Sequence, residues 1–242
     1  PIHAIGGTGV FVKEVQEAVL RGEADLAVHS AKDLPAITME GLILAAVPER
    51  ADARDALVGS RLEKLPQGAR IGTGSVRRRS QLAAIRPDLE FGELRGNIGT
   101  RLGKAADFDA IVVAAAALDR LGLGDRIAER LEPSVMLPQV AQGALAVESR
   151  LDDAEALVAL AAIDDAIAHL AVKAERAFLA ALGGGCDVPV GAYATIKSGG
   201  MISMQALVAQ EDGSSVRRAK GVGSDPDALG RSLCALLMED GE

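Results

Sequence analysis

Three short stretches and one cysteine carry the side chains in this sequence that are equipped for chemistry. In IGTGSVRRRSQL, residues 71–82, an apolar run enters a Gly-Thr-Gly-Ser loop and then a helical pattern. The backbone N–H groups of such a loop face an anion at a helix N-terminus. Arg77, Arg78 and Arg79 fall in that first helical turn, where their charge opposes the helix dipole. The placement makes sense if an anion sits there; the alternative is a solvated basic face. LRGNIGTRLGK, residues 94–104, repeats the device with Arg95 and Arg101 around a Gly-Asn-Ile-Gly loop. Two such loops at successive strand ends favour a ligand site, because open α/β sheets bind ligands at the carboxyl ends of their strands.

HSAKDLP, residues 29–35, sets His29, Ser30, Lys32 and Asp33 directly after an apolar strand, at one sheet edge. Asp33 beside Lys32 suits an acid or base; equally, an Asp ahead of Leu-Pro serves a turn by bonding its own backbone. Cys186 lies in LGGGCDVPVG, four residues beyond a long helical pattern, where the negative end of the helix dipole raises a thiol's pKa. No histidine motif stands near it, so a thiol hydrolase is not expected. A half-buried structural cysteine and a tether on a glycine-rich loop both remain open.

Composition bounds these readings. The 242 residues are 49% hydrophobic, enough for one large domain or two to three smaller ones. Two cysteines and three scattered histidines make neither a disulfide framework nor a metal site, and a reducing cytoplasmic setting follows. The most apolar run, 110–118, is too short to span a bilayer, and no charged leader precedes an apolar N-terminal core, so neither membrane insertion nor secretion is expected. A net charge of -8, one Tyr and no Trp argue against nucleic-acid binding. Residues 70–104 are the exception, with eight basic residues against three acidic ones. Such an island suits a small polyanion.

The elements that position these residues alternate between β-like and helical runs, which predicts α/β units with largely parallel sheets. A helix is expected over 10–21. Strands are expected over 24–30, 42–47, 69–75, 89–94, 109–115 and 143–149. A long helix over 164–182 leads into the glycines before Cys186. Strands near 191–196, 201–210 and 215–220, then a helix over 227–238, suggest a small α+β unit with antiparallel strands.

Taken together, GGTGVFVKEV, ADLAVHSAKDLP, RDAL, IGTGSVRRRSQL, RPDLEFGELRGNIGTRL, DAIVVAAAALDRLGL, LPQVAQGALAVESR and AERAFLAALGGGCDVPVGAYA resemble the porphobilinogen deaminase (hydroxymethylbilane synthase) family, in family order from Gly6 to Ala194. The resemblance implies a transferase of porphyrin biosynthesis with porphobilinogen as substrate. Its cofactor is a dipyrromethane tethered by a thioether, here to Cys186. It implies Asp33 as the catalytic carboxylate, stabilising the cation left as ammonia departs and passing protons. Cofactor contacts fall to Lys32, Ser30, Thr73, Gly74, Ser75, Arg77 and Arg78, and substrate contacts to Arg95, Arg101, Arg120, Arg77 and Gln142. No metal, nucleic acid or membrane is implied, and a cytoplasmic monomer is expected.

The implied fold is α/β: two doubly wound lobes of the type II periplasmic-binding-protein kind plus a small α+β C-terminal domain. Domain 1 spans 1–48 and 142–161, domain 2 spans 54–137, and domain 3 spans 163–242. Family members begin some fifty residues earlier with a strand and helix, so the first domain as it stands is expected to lack a central strand. Smaller departures are Thr8 for a common lysine, Gly74 for serine, Arg79 for glutamine, Gly183 for glutamate and Ala141 for glycine. A two-lobed, non-enzymatic binder of small polycarboxylates is the competing reading; the tether on Cys186 separates the two.

Overall fold

The computed structural model describes residues 7–183 and 189–239, with side chains from residue 11 on. Its first elements are α1 (Gly7–Leu20), β1 (Leu26–Ser30), β2 (Leu42–Ala46), β3 (Asp55–Val58), β4 (Arg70–Gly72), α2 (Val76–Ile85), β5 (Glu90–Gly92) and α3 (Ile98–Gly103). Next come β6 (Ala110–Ala114), α4 (Ala115–Asp119), β7 (Glu129–Leu131), β8 (Leu145–Arg150) and α5 (Ala154–Leu160). The chain continues with α6 (Ala166–Ala181), β9 (Val190–Ile196), β10 (Ile202–Ala209), β11 (Val216–Gly223) and α7 (Pro226–Glu239).

The strands form three sheets, ordered β1-β8-β2, β5-β4-β6-β3-β7 and β11-β10-β9. In the second, β6 is buried along its whole length. Ala110 and Val112 serve one core while Ile111 and Val113 serve another, which is why the segment reads as an unbroken apolar run. The third sheet is antiparallel throughout and is covered by α6 and α7. These helices approach closely at Gly230, where a Cβ would stand 2.6 Å from the Phe178 backbone nitrogen. Phe178 is fully buried there, among Leu229, Leu233 and Leu237.

The expectation of largely parallel sheets needs correction. In the first two sheets only β4–β5 and β4–β6 pair in parallel, whereas β1–β8, β2–β8, β3–β6 and β3–β7 are antiparallel. The cause is the path of the chain. It leaves the first sheet along 47–54 and returns along 132–144, so β3 and β8 enter each sheet from the neighbouring one rather than through a crossover helix.

One buried carboxylate joins these crossing segments to the third sheet. Glu175 of α6 has no exposed surface. It accepts both Nη groups of Arg50, at 2.7 and 3.1 Å, from the outgoing segment. It also accepts the Ala141 N–H at 2.7 Å from the returning segment and the Ala194 N–H at 2.8 Å from β9. Four donors satisfy the carboxylate, and Arg50 is further held over the Tyr193 ring at 5.4 Å. Replacing Glu175 with Leu should lower stability by roughly 3–5 kcal/mol, since it strands the Arg50 guanidinium and two N–H groups. A urea midpoint unchanged from wild type would remove Glu175 from this role.

Candidate functional site

The strand–loop–helix at 70–85 is built as its sequence requires. Ser75 caps α2, its Oγ accepting the Arg78 N–H at 3.4 Å, and Thr73 Oγ1 accepts the Ser75 N–H at 3.2 Å. Gly74 is exposed; a Cβ there would stand 3.1 Å from the Leu94 carbonyl and 3.4 Å from Arg95 Cγ, so the two arginine loops lie against each other.

The three consecutive arginines have three environments. Arg79 is exposed and lies over the Phe91 ring at 5.8 Å. Arg77 and Arg78 are buried, at 4% and 6% exposure, which no solvated basic face allows. What holds them is Asp55, the first residue of β3 and fully buried. Arg78 donates Nε to Asp55 Oδ1 at 2.9 Å and Nη1 to the Val112 carbonyl at 3.1 Å, with Nη2 2.8 Å from Asp55 Oδ1. Arg77 Nη1 lies 2.7 Å from Asp55 Oδ2 and donates to the Leu137 carbonyl at 2.7 Å. Burial alone would raise the Asp55 pKa, but the charges of Arg77 and Arg78 outweigh it and hold the carboxyl well below its ordinary value.

Arg77 keeps one edge free. Its Nε and Nη2 are buried and have no hydrogen-bond partner among the described residues. These two N–H groups point in parallel along one side of the guanidinium, the edge that grips a carboxylate in a two-point fork. A buried donor left unmade is costly, so an edge of this kind can take an oxygen that reaches it.

Most of the other residues that the sequence singled out have partners of their own. Lys32 and Asp33 occupy the turn after β1, and Gln139 Nε2 donates to the Lys32 carbonyl at 3.2 Å. Asp33 and Ser30 are exposed, and neither side chain bonds a described residue. The Lys32 ammonium is pushed down to about 8, first by burial and then by the charge of Arg78, partly offset by Asp33 and Asp55. Lys32 of the first sheet's unit and Arg78 of the second are thus near enough for their charges to repel. Arg101 donates Nε to the Gly96 carbonyl at 2.8 Å, and Arg95 pairs with Glu93 at the surface. Arg120 donates Nη2 to the Gly143 carbonyl at 2.9 Å.

Gln142 is wholly buried: its Nε2 donates to the Ala53 carbonyl at 2.8 Å and to Asp55 Oδ1 at 3.0 Å, bracing the carboxylate from the returning segment. Asp55 is the residue that reasoning from spacing missed. The RDAL stretch was its one signal. Cys186 lies outside the described residues; α6 and Gly183 lead to it.

Residues 1–158 match the model of the porphobilinogen deaminase dipyromethane cofactor binding domain, and residues 169–239 match that of the porphobilinogen deaminase C-terminal domain. A porphobilinogen deaminase of Roseiflexus sp. (strain RS-1) is 51% identical over 100% of this chain and 81% of its own length. Those of Brevibacillus brevis and Geobacillus kaustophilus are 47% and 49% identical over 99% of this chain and 79% of theirs. The chain belongs to the porphobilinogen deaminase family. That is a family of enzymes, not of solute-binding proteins. No helix of the described residues is long and apolar enough to cross a membrane.

The Lys32 environment has a measurable consequence. A bound carboxylate favours the ammonium form, which is lost as pH rises through about 8. In protein carrying Cys186→Ser, affinity for a small dicarboxylate such as glutarate, measured by calorimetry, should therefore fall roughly three- to tenfold between pH 7 and pH 9. A Lys32→Arg variant should show most of that dependence removed. An equally steep fall in the variant would assign the titration to another group.

Proposed function

We propose that this protein is a hydroxymethylbilane synthase. It joins four porphobilinogen molecules head to tail with release of four ammonia molecules, working on a dipyrromethane held through a thioether by Cys186, and hydrolyses the chain to hydroxymethylbilane. The observation that carries the reading is the free, buried Nε–Nη2 edge of Arg77 in a family whose first domain binds this cofactor. Each pyrrole of the growing chain bears an acetate and a propionate, so the residues present fit the group.

When bound, the dipyrromethane would supply the free pyrrole carbon to which the first unit is joined, each later unit joining the one before it. The protein supplies the rest. Arg77 grips a cofactor or substrate carboxylate, with Arg78, Ser75, Thr73 and the Gly74 backbone shaping the loop. Lys32 and Ser30 act from the facing unit. Arg95, Arg101 and Arg120 receive substrate carboxylates, and Gln142 acts through Asp55. Asp33, exposed and unpaired with any described residue, places a carboxylate beside the positive charge that develops as the substrate's amine leaves, and carries protons to and from it.

The three sheets form three domains on this reading, 1–48 with 142–161, 54–137, and 163–242, with the crossing segments as the hinge. The protein acts as a cytoplasmic monomer and has no nucleic-acid or membrane partner.

Intact mass of the purified protein beside a Cys186→Ser variant tests the tether. An excess equal to two linked pyrrole units in wild type, absent from the variant, is expected; equal excesses, or none in an active wild type, would sink it. Asp33→Glu should keep that excess and yet slow turnover by about 100-fold or more, the scale of a misplaced acid–base group. An unimpaired rate would take Asp33 out of the mechanism.

A further inference from the structure

We infer that Arg218, on β11 of the third sheet, is a positioning residue that holds the Arg77 edge in place through Gln81. The inference rests on the reading of Arg77 as a carboxylate ligand.

Arg218 is on the face of β11 turned toward the second sheet's unit. Its Nη1 donates to the carbonyls of Pro133 and Ser134 at 3.1 and 3.0 Å. Its Nη2 donates to the Val135 carbonyl at 3.2 Å and to Gln81 Oε1 at 2.9 Å. None of these acceptors is charged. The guanidinium therefore clamps a turn and an amide, where an ordinary surface arginine pairs with a carboxylate.

Gln81, on α2 one helical turn after Arg77, is buried at 1% exposure. Its Oε1 also accepts the Leu137 N–H at 2.8 Å, while its Nε2 donates to the Leu137 carbonyl at 3.1 Å and to the Arg77 carbonyl at 3.3 Å. Arg218 has only donors, so it reinforces the amide orientation in which Oε1 also accepts the Leu137 N–H, and with that the two-point pairing to Leu137. The Leu137 carbonyl in turn accepts from Arg77 Nη1, which also lies 2.7 Å from Asp55 Oδ2. The path is short: Arg218, Gln81, Leu137, Arg77.

A second contact keeps the hairpin on α2. Gly213, in the turn between β10 and β11, lies so near that helix that a Cβ would stand 2.6 Å from the Ser80 carbonyl and 2.9 Å from Ala83 Cβ. The third sheet's hairpin and the arginine helix are thus packed as one piece.

A double-mutant cycle tests the relay, using glutarate as the probe and protein carrying Cys186→Ser so that no tethered group competes. Arg77→Met should weaken glutarate binding; if it does not, the carboxylate reading of Arg77 fails before the relay is in question. Arg218→Met should weaken binding about five- to tenfold, the loss expected from freeing one anchoring hydrogen bond of a charged group. Added to Arg77→Met, it should cost nothing more. Additive losses, or no loss from Arg218→Met while Arg77→Met binds poorly, would overturn the relay. Arg218→Lys should behave like Arg218→Met, because one ammonium cannot span four acceptors; full rescue by Lys would mean that Arg218 acts only as a charge. In enzyme with Cys186 intact, Arg218→Met should raise KM for porphobilinogen with kcat within about twofold. A change confined to kcat or to the unfolding midpoint would count against it.

Discussion

The candidate site depends on a single buried carboxylate. Asp55 sits between two guanidiniums that are themselves buried, and the triad carries one net positive charge. Every nitrogen of Arg78 has a partner in Asp55 or a backbone carbonyl, whereas Arg77 meets Asp55 through Nη1 alone and keeps an edge with no described partner. A charge in a low-dielectric setting attracts a counterion far more strongly than the same charge in water. Removing Asp55 would not strengthen such a site. It would leave two unpaired buried cations where one is already costly.

Around that triad, the fold is held by polar contacts that cross between units. Glu175 reaches both crossing segments and β9 from α6, the helix that leads to the glycines before Cys186. Arg120 ties the end of α4 to the returning segment at Gly143, and Gln142 in that segment touches Asp55. The apolar core of the first sheet runs on into that of α6, with Ala31, Leu34 and Val140 in one cluster with Val172 and Phe178. A shift in any of the three units is therefore felt at the crossing segments, which adjoin the arginines.

Much of this was legible in the sequence because the relevant patterns are local. The long helix before the glycines, the five-residue apolar strand at 110–114 and the three antiparallel strands after 190 each declare themselves by periodicity and turn residues. The strand β3 did not. It has four residues, all buried, and opens on an aspartate, so neither length nor alternation marks it. Helix α5 escaped for a related reason: Val158 is 78% exposed, which blurs the apolar stripe that would have announced it. Strand direction was misjudged because it depends on where the chain returns from, and no window of ten or fifteen residues contains that.

The difference between Arg77 and Arg78 lies deeper still. They are adjacent, chemically identical and equally buried, and no local pattern separates them. What separates them is partner geometry set by residues twenty to sixty positions away: Asp55, Val112 and Leu137. Each nitrogen of Arg78 is used within the protein, and two nitrogens of its neighbour are spared. Lys32 completes the argument from the opposite side. Burial and the charge of Arg78 push its ammonium down to about 8, so without an anion the site repels the cation that the chain places there. On the proposed reading, a carboxylate held by Arg77 and Lys32 would offset that repulsion and satisfy the free edge at once.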